Sequence, residues 1–339
     1  MDRVKKSTIV DVAAAANVSV ATVSYVLSGK RSIGKETQAR VRAAISDLDY
    51  RPNPNAQGLK ATRNNLLSVL VTDWKETFVL PILRGVESIA RDSGYHLMVN
   101  SIAEFDNDTS AAIDHLQRRA VDGVLFVSGI GSDDPLYVSY GGDLPVVGVN
   151  RPFTEDGPAI LCDNVDGGYR AARHLLEAGC VRPAAIMGPL ERSASRNRLE
   201  GFRRALNDEG IDLPDALVYR GDFEAPSGAE GLIALRAAAA NVDGIFCAND
   251  HMAAGVVAKA IRTGLAIPDE IRLIGFDDQK VASLLPVSLT TFGLPAAEMA
   301  VTGTQTLIGM IEGDRPLFTR VLVRSKLTVR ESTTKLSEN

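Results

Sequence analysis

A small all-α head followed by an α/β body of two doubly wound parallel-sheet lobes is the fold class this sequence predicts. Three observations carry it. Short helical repeats separated by turn-forming residues fill positions 1–52; strands and helices alternate from Leu66 onward; and that alternation starts afresh near Val165. With 339 residues, 45% of them apolar and 23% charged, the chain is too long for one compact core and ordinary in composition for a globular protein.

In the head, Thr8 followed by Asp11 marks a helix start with an acidic partner at the third position. Ile9, Val12, Ala13 and Ala16 repeat at helical spacing, and Asn17, which tolerates a left-handed turn, should end the helix. Ser19 is placed to cap a second helix whose Val23, Val26 and Leu27 face the first. Val20, Ala21, Thr22, Ser24 and Tyr25 fall elsewhere on its surface. A third amphipathic helix is expected from Lys35 to Leu48, burying Val41, Ala44, Ile45 and Leu48. Two short helices about a tight turn, the second presenting small and polar residues near its start, form the helix-turn-helix arrangement that enters a DNA major groove. A purely structural helical hairpin has the same spacing.

The net charge of −5 is unevenly spread. Residues 1–63 carry eleven Lys/Arg against five Asp/Glu, and residues 64–339 carry 26 against 37, so a basic head sits on an acidic body. Clustered cations gain by displacing counterions from phosphates, which makes a polyanion the expected partner of the head. After it, Asn53 can cap and Pro54 can open a helix of about two turns through Lys60. So short a helix, carrying Gly58, is unstable alone, and a flexible linker is the expected free state.

The body alternates throughout. LLSVLVTD, YHLMVNSIA and VLFVS read as strands separated by the helices PILRGVESIARDSG and TSAAIDHLQRRAVDG. A second series runs from a helix with Tyr169, Ala172 and Leu175 through PAAIMGP, RNRLEGFRRALNDEG, ALVYRGD, GIFCAND, IRLIGFDD and LTTFG. Ligands of open α/β sheets bind beyond the carboxyl ends of the strands, where Asp73, Asn150, Asn249, Asp250, Asp277 and Asp278 stand. Each of these can equally cap a helix or hold a turn.

The string D-V-A-x-x-A-x-V-S-x-x-T-V-S-x-V-L from Asp11 to Leu27, followed by Tyr50-Arg51-Pro52-Asn53, strongly resembles the DNA-binding head of the LacI/GalR family of bacterial transcriptional regulators. GYxLxV, VDGVLF, PVVGVN, the R-x-x-G-F of Arg198 to Phe202, ANDxxAxG and IGFDD before LTT extend the likeness over almost the whole chain. The resemblance implies a helix-turn-helix domain at 1–52, a hinge helix or linker at 53–65, and an effector-binding and dimerisation domain at 66–339 similar to the periplasmic-binding-protein type I fold. One lobe would span 66–163 and 295–321, the other 164–292 and 324–339.

By the same likeness Val20, Ala21 and Tyr25 match base-reading positions. Ser19, Thr22, Ser24 and Thr37 resemble phosphate-contacting hydroxyls, and Asn53, Ala56, Gln57 and Leu59 match the minor-groove hinge, with Leu59 as an apolar wedge. Asn150, Arg198, Asn249 and Asp277 match effector hydrogen-bonding positions and Phe223 an aromatic that stacks on the effector. Asp73, Phe78 and Val79 join them, the last two as an apolar wall or as ordinary core. Amide, carboxylate and guanidinium groups around one aromatic face suit a sugar or sugar derivative better than a nucleobase. There are departures. Tyr25 stands where arginine is common, Gly34 where a capping serine is usual, Asn150 for a common aspartate, and Leu294 for a polar residue.

The implied molecule is a homodimeric repressor on pseudo-palindromic double-stranded operator DNA, controlled by a small-molecule effector. A nucleoside effector or a controlling protein partner stays open. A sugar-binding transport protein would share the body but needs an export signal and has no use for the head. Catalysis is not expected: Gly129-Ile130-Gly131 lacks the rest of a dinucleotide loop, and no P-loop or nucleophile–base spacing occurs. Neither cofactor nor metal is expected from three dispersed cysteines and four unpaired histidines. The start of the sequence does not resemble a signal peptide and no apolar run reaches membrane-spanning length, so the expected location is cytoplasmic, without a membrane partner. Six residues after Thr333 cannot build a heptad tail, so tetramers through such a tail are not expected.

Overall fold

The computed structural model describes residues 7–28, 31, 33–50, 63–72, 74, 78–128 and 142–334. The chain divides into two compact units, 1–64 and 65–339.

The first unit holds helices α1 (Ile9–Ala15), α2 (Val20–Ser28) and α3 (Lys35–Asp47). Thr8 and Asp11 form the expected reciprocal cap, the Thr8 hydroxyl accepting from Asp11 N and the Asp11 carboxylate accepting from Thr8 N at 2.7 Å. Asn17 turns the chain at φ 50°, and the axes of α1 and α2 bend by 103°, within the range of helix-turn-helix pairs. Val12, Ala13, Ala16, Val23, Val41 and Ala44 are buried together, with Ile45 and Leu48 packed against them, and the Ser7 hydroxyl donates to Leu48 O at 2.8 Å. Gly34 precedes α3 without a side-chain cap.

The second unit contains two six-stranded sheets. Strands β1 (Leu66–Val71), β2 (His96–Ser101), β3 (Gly123–Val127), β4 (Val146–Val149), β5 (Ala159–Cys162) and β11 (Arg320–Val323) form the first, in the order β11-β5-β4-β3-β1-β2. Strands β6 (Pro183–Met187), β7 (Val218–Arg220), β8 (Gly244–Cys247), β9 (Arg272–Asp277), β10 (Thr290–Gly293) and β12 (Lys326–Thr328) form the second, in the order β12-β10-β9-β8-β6-β7. Only β12 runs antiparallel among these pairings. Helices α4 (Val79–Asp92), α5 (Thr109–Arg118) and α11 (Ala296–Glu312) belong with the first sheet. Helices α6 (Asn164–Glu177), α7 (Ser193–Asp208), α8 (Ala225–Ala238), α9 (Asp250–Thr263) and the short α10 (Lys280–Leu284) belong with the second. Central strands β3, β4, β6 and β8 are buried along their full length, as the continuous apolar runs require of strands covered on both faces.

Read by position in its own series, each sheet has the order 2-1-3-4-5, whose switch point lies between the first and third strands. The polypeptide passes between the sheets three times, at 162–164, 293–296 and 323–326. Because β5 neighbours β11 and β10 neighbours β12, all three connections gather at one edge of each sheet. β11 runs to Val323, two residues past the expected lobe limit, because Val321, Leu322 and Val323 continue its register with Ile160, Leu161 and Cys162. α4 begins at Val79, before Pro81, which sits in the first turn where its missing N–H is harmless. All three cysteines are buried, as small core residues.

Helix α6 carries Gly167 and Gly168 in tandem, although each glycine in a helix interior costs about 1 kcal/mol relative to alanine. Packing explains them. A Cβ on Gly168 would lie 1.9 Å from Arg198 O in α7, one on Gly167 would lie 2.7 Å from the Phe276 ring, and Gly201 of α7 reciprocates against Val165 O at 1.9 Å. Gly168→Ala should therefore force α6 and α7 apart and lower unfolding free energy by about 1–3 kcal/mol or more in urea titrations. Gly309→Ala in α11, whose added methyl meets nothing closer than 3.5 Å, should be neutral or stabilising by up to about 1 kcal/mol. Equal effects of the two substitutions would contradict this account.

Candidate functional site

In the head, Ser19 caps α2 as expected. Its hydroxyl accepts from Thr22 N at 3.1 Å and lies 2.8 Å from the Thr22 hydroxyl. Val20, Ala21, Ser24 and Tyr25 are exposed on the same helix, and Arg31 lies 5.8 Å from the centre of the Tyr25 ring. Half-buried Thr37 sits in the first turn of α3. An exposed apolar Val20 beside hydroxyls at a helix start offers groove contacts rather than core packing. Asn53, Ala56, Gln57 and Leu59 lie outside the described residues.

In the body, the candidate residues gather at the carboxyl ends of the second sheet. Gly188 follows β6, Phe223 follows β7, Ala248 and Asn249 follow β8, and Asp277 ends β9. Arg198, on α7 and only 5% exposed, reaches two of these segments and the start of α6. Its Nε donates to Asn164 Oδ1 at 2.8 Å, one terminal nitrogen to Ala248 O at 2.5 Å, and the other to Asp277 Oδ1 at 3.5 Å. The Arg198 guanidinium carbon stands 3.6 Å from the centre of the Phe276 ring, so the cation is stacked as well as hydrogen-bonded. Asn249 caps α9, its Oδ1 accepting from Met252 N at 2.9 Å, and its Nδ2 donates to Phe223 O at 2.8 Å. The Phe223 ring packs on Gly188, and Arg192 lies 5.5 Å from its centre. Phe223, Asn249, Arg198 and Asp277 are thus one connected constellation.

The backbone gives a second mark. Asn150, Phe223 and Asp277 have φ values of 64°, 73° and 101°, in the left-handed region where a non-glycine residue costs about 1–2 kcal/mol. A phenylalanine there is held by its surroundings, and such outliers concentrate at binding sites. Of the adjacent acids, Asp278 is structural: it accepts from Arg330 at 2.7 Å and from Thr328 at 3.3 Å, while Asp277 faces Arg198. Burial raises Asp277 above the ordinary carboxylate range against the opposing pull of Arg198 and His251.

Asn150 follows β4 on the other lobe, half-buried, its N–H donating to Ile160 O at 2.8 Å. Phe78 precedes α4 and packs against the core, whereas Val79 is 3% exposed within that core, the second of the two roles open to it. Asp73 lies outside the described residues, as does Gly129-Ile130-Gly131. Leu294 packs against the core beyond β10.

Sequence reasoning missed Asn164, Arg192 and Phe276. Nothing local in the sequence marks their roles, since each depends on a partner more than thirty positions away (Asn164 and Phe276 on Arg198, Arg192 on Phe223). It also left Asp250 as one of several strand-end polars, whereas Asp250 is fully buried. Its carboxyl accepts from the Thr291 hydroxyl at 2.5 Å and from Gln279 N at 2.7 Å. Among the described residues no cluster of three or more His, Cys, Asp or Glu could hold a metal, and no single helix is long and apolar enough to cross a membrane.

Burial, followed by the neighbouring Asp277 charge, pushes Asp250 up to about 8, far above the ordinary carboxylate range. An acid whose folded pKa is raised contributes stability in full below its unfolded value of about 4, loses it as pH rises toward about 8, and changes no further above that. Asp250→Asn does not ionise; its oxygen still accepts from Gln279 N, and its NH2 faces the Thr291 hydroxyl, which turns to accept. The variant's stability relative to the native chain should therefore improve between about pH 5 and about pH 9 in denaturant titrations, and a constant difference would refute the raised pKa.

Comparison with known proteins agrees with this arrangement. Residues 8–53 match the family profile described as bacterial regulatory proteins, lacI family, and residues 172–333 match a periplasmic binding protein-like domain. The chain is 33% identical to the ribose operon repressor of Halalkalibacterium halodurans over 98% of both chains. Among solved structures, the lac repressor dimer bound to operator and the anti-inducer ONPF superposes with a TM-score of 0.83 at 25% identity, over 97% of this chain and 99% of that one. A transcriptional regulator CelR–cellobiose complex gives 0.70 at 29% identity, over 96% and 99%. A helix-turn-helix head, a two-lobed body with a strained polar constellation, and full-length similarity to repressors lead to one conclusion: the chain belongs to the lacI family of bacterial transcriptional regulators, with a DNA-binding and an effector-binding region.

Proposed function

We propose that this chain is a cytoplasmic repressor that binds a pseudo-palindromic operator as a homodimer and is switched by a sugar or sugar derivative held between its lobes. The carrying observation is the constellation of Arg198, Asp277, Asn249 and Phe223 at the carboxyl ends of β7, β8 and β9. Asp277, with its raised pKa, offers oxygens that accept sugar hydroxyls, Arg198 retains donors beyond the three it uses, and Phe223 offers an aromatic surface for C–H packing. Relatives named for ribose and solved with cellobiose support a carbohydrate over a nucleoside. Asn150 and Phe78, with Asp73, would contribute the opposing wall.

Two features favour a homodimer. β2 is an edge strand, and beside it α4 forms a groove of about 460 Å³ in which Leu80, Leu83, Tyr95, Leu97 and Val99 alternate with Arg84, Glu87, Arg91 and His96, with Leu80 and Val99 exposed. An edge strand with exposed apolar side chains is ordinarily covered, and the charges around it suit a polar rim. Paired heads would then place Val20, Ala21 and Tyr25 of each protomer on base edges. The hydroxyls of Ser19, Thr22, Ser24 and Thr37 would lie on phosphates, and segment 53–65, with Asn53, Ala56, Gln57 and Leu59, would fold in the minor groove. Tyr25 brings no bidentate guanine contact, so the half-site should differ from those read by an arginine there.

Thermal-shift screening of D-ribose, cellobiose, other sugars and nucleosides should reveal a sugar that stabilises the chain by about 2.7 kcal/mol at a hundredfold excess over its Kd. The same sugar should change affinity for an operator selected from random duplexes. Stabilisation by nucleosides alone would replace the carbohydrate assignment, and stabilisation by none would point to a protein partner. Leu59→Ala should weaken operator binding about five- to 150-fold, by the loss of a wedge worth about 1–3 kcal/mol, and leave the sugar-induced shift unchanged. Unaltered operator affinity would remove Leu59 from the interface.

A further inference from the structure

Helix α6 touches two of the three connections between the lobes and the strand residue that precedes the other. Its first residue, Asn164, follows the first connection directly, and its Nδ2 donates to Cys162 O at the end of β5, 3.3 Å away. Arg170 donates to Ser325 O at 2.8 Å in the third connection, and its guanidinium lies 5.2 Å from the centre of Phe292, just before the second. Asp166 pairs with Arg170 at 3.4 Å and with Arg324 at 3.7 Å.

Asn164 also faces the effector constellation, because its Oδ1 accepts from Arg198 Nε at 2.8 Å. Helix capping does not require it: Asp163 is the N-cap, accepting from Asp166 N at 3.0 Å. One amide group therefore joins the end of a first-lobe strand to the buried cation of the second lobe. We propose that Asn164 is a positioning residue that passes the orientation of the Arg198 guanidinium to the connections between the lobes, so that occupancy of the site sets their angle. The proposal rests on the reading of Arg198 as an effector contact in a pair of closing lobes.

The physical basis is the rigidity of the guanidinium plane. Three of its five N–H groups are held, and the bond to Asp277, at 3.5 Å, is the longest of them. A ligand oxygen that competes for Asp277, or for the remaining N–H groups, turns the whole plane. Nε then moves against Asn164, and Asn164 moves against Cys162 O at the first connection. The α6–α7 glycine contact leaves little slack for the movement to dissipate, since the two backbones already touch.

A double-substitution cycle in the full chain tests this without needing the effector. Fluorophores on Gln117→Cys in α5 and Ile261→Cys in α9, both at exposed positions, report lobe separation, while the native cysteines are buried and unreactive. Arg198→Lys, with Arg198→Met as a second version, should change the open-to-closed ratio about three- to tenfold in the otherwise native chain, the size expected of directly bonded neighbours. In an Asn164→Ala background the same substitutions should change it less than about twofold. Asn164→Asp, which keeps the acceptor for Nε but lacks the donor to Cys162 O, should behave as alanine does; a fully transmitted effect there would place the relay elsewhere. An equal effect of Arg198→Lys in native and Asn164→Ala backgrounds, or no effect in either, overturns the proposal. Thermal-shift results with sugars judge the effector assignment separately, and circular dichroism confirms that each variant is folded.

Discussion

A buried guanidinium must have its charge met on every side, and Arg198 imposes that condition on the second lobe. Removing a cation from water costs several kcal/mol unless hydrogen bonds and counter-charge replace the solvent. Here the replacement comes from Asn164 at the start of α6, Ala248 at the end of β8, Asp277 at the end of β9 and the face of Phe276. Three segments distant in sequence must converge on one side chain, and the glycine pair in α6 lets α7 come close enough to deliver it. Asp277, which meets the cation, is itself held at φ 101°.

The architecture was legible from sequence because it rests on local periodicity. The turn at Asn17, the caps at Thr8 and Ser19, and the alternating strands and helices of the body are written in spacing and turn chemistry, and they stand where that chemistry requires. Strand ends were equally readable: Asn249 and Asp277 stand at the carboxyl ends of β8 and β9 as their sequence context requires. The resemblance to a known family then singled out Arg198 and Phe223, which spacing alone would not have done.

What could not be read depends on partners far apart in the chain. Asn164 bonds to a side chain 34 positions away, and Asp250 owes its raised pKa to burial and to the nearby Asp277. Tandem glycines in α6 would suggest a helix break to any propensity scale; only the facing helix explains why they stand inside one. The division of labour between Asp277 and Asp278 is likewise set by Arg198 on one side and Arg330 on the other, not by anything in the IGFDD string itself.

Three polypeptide crossings gathered along one edge of both sheets act together like the knuckles of a door hinge. Turning about the line through them bends only a few backbone torsions, whereas sliding or shearing one lobe across the other would stretch at least one crossing. The second unit thus has essentially a single soft coordinate. A ligand too small to span many residues can still deliver a two-valued signal, because the scaffold has discarded every other way of responding.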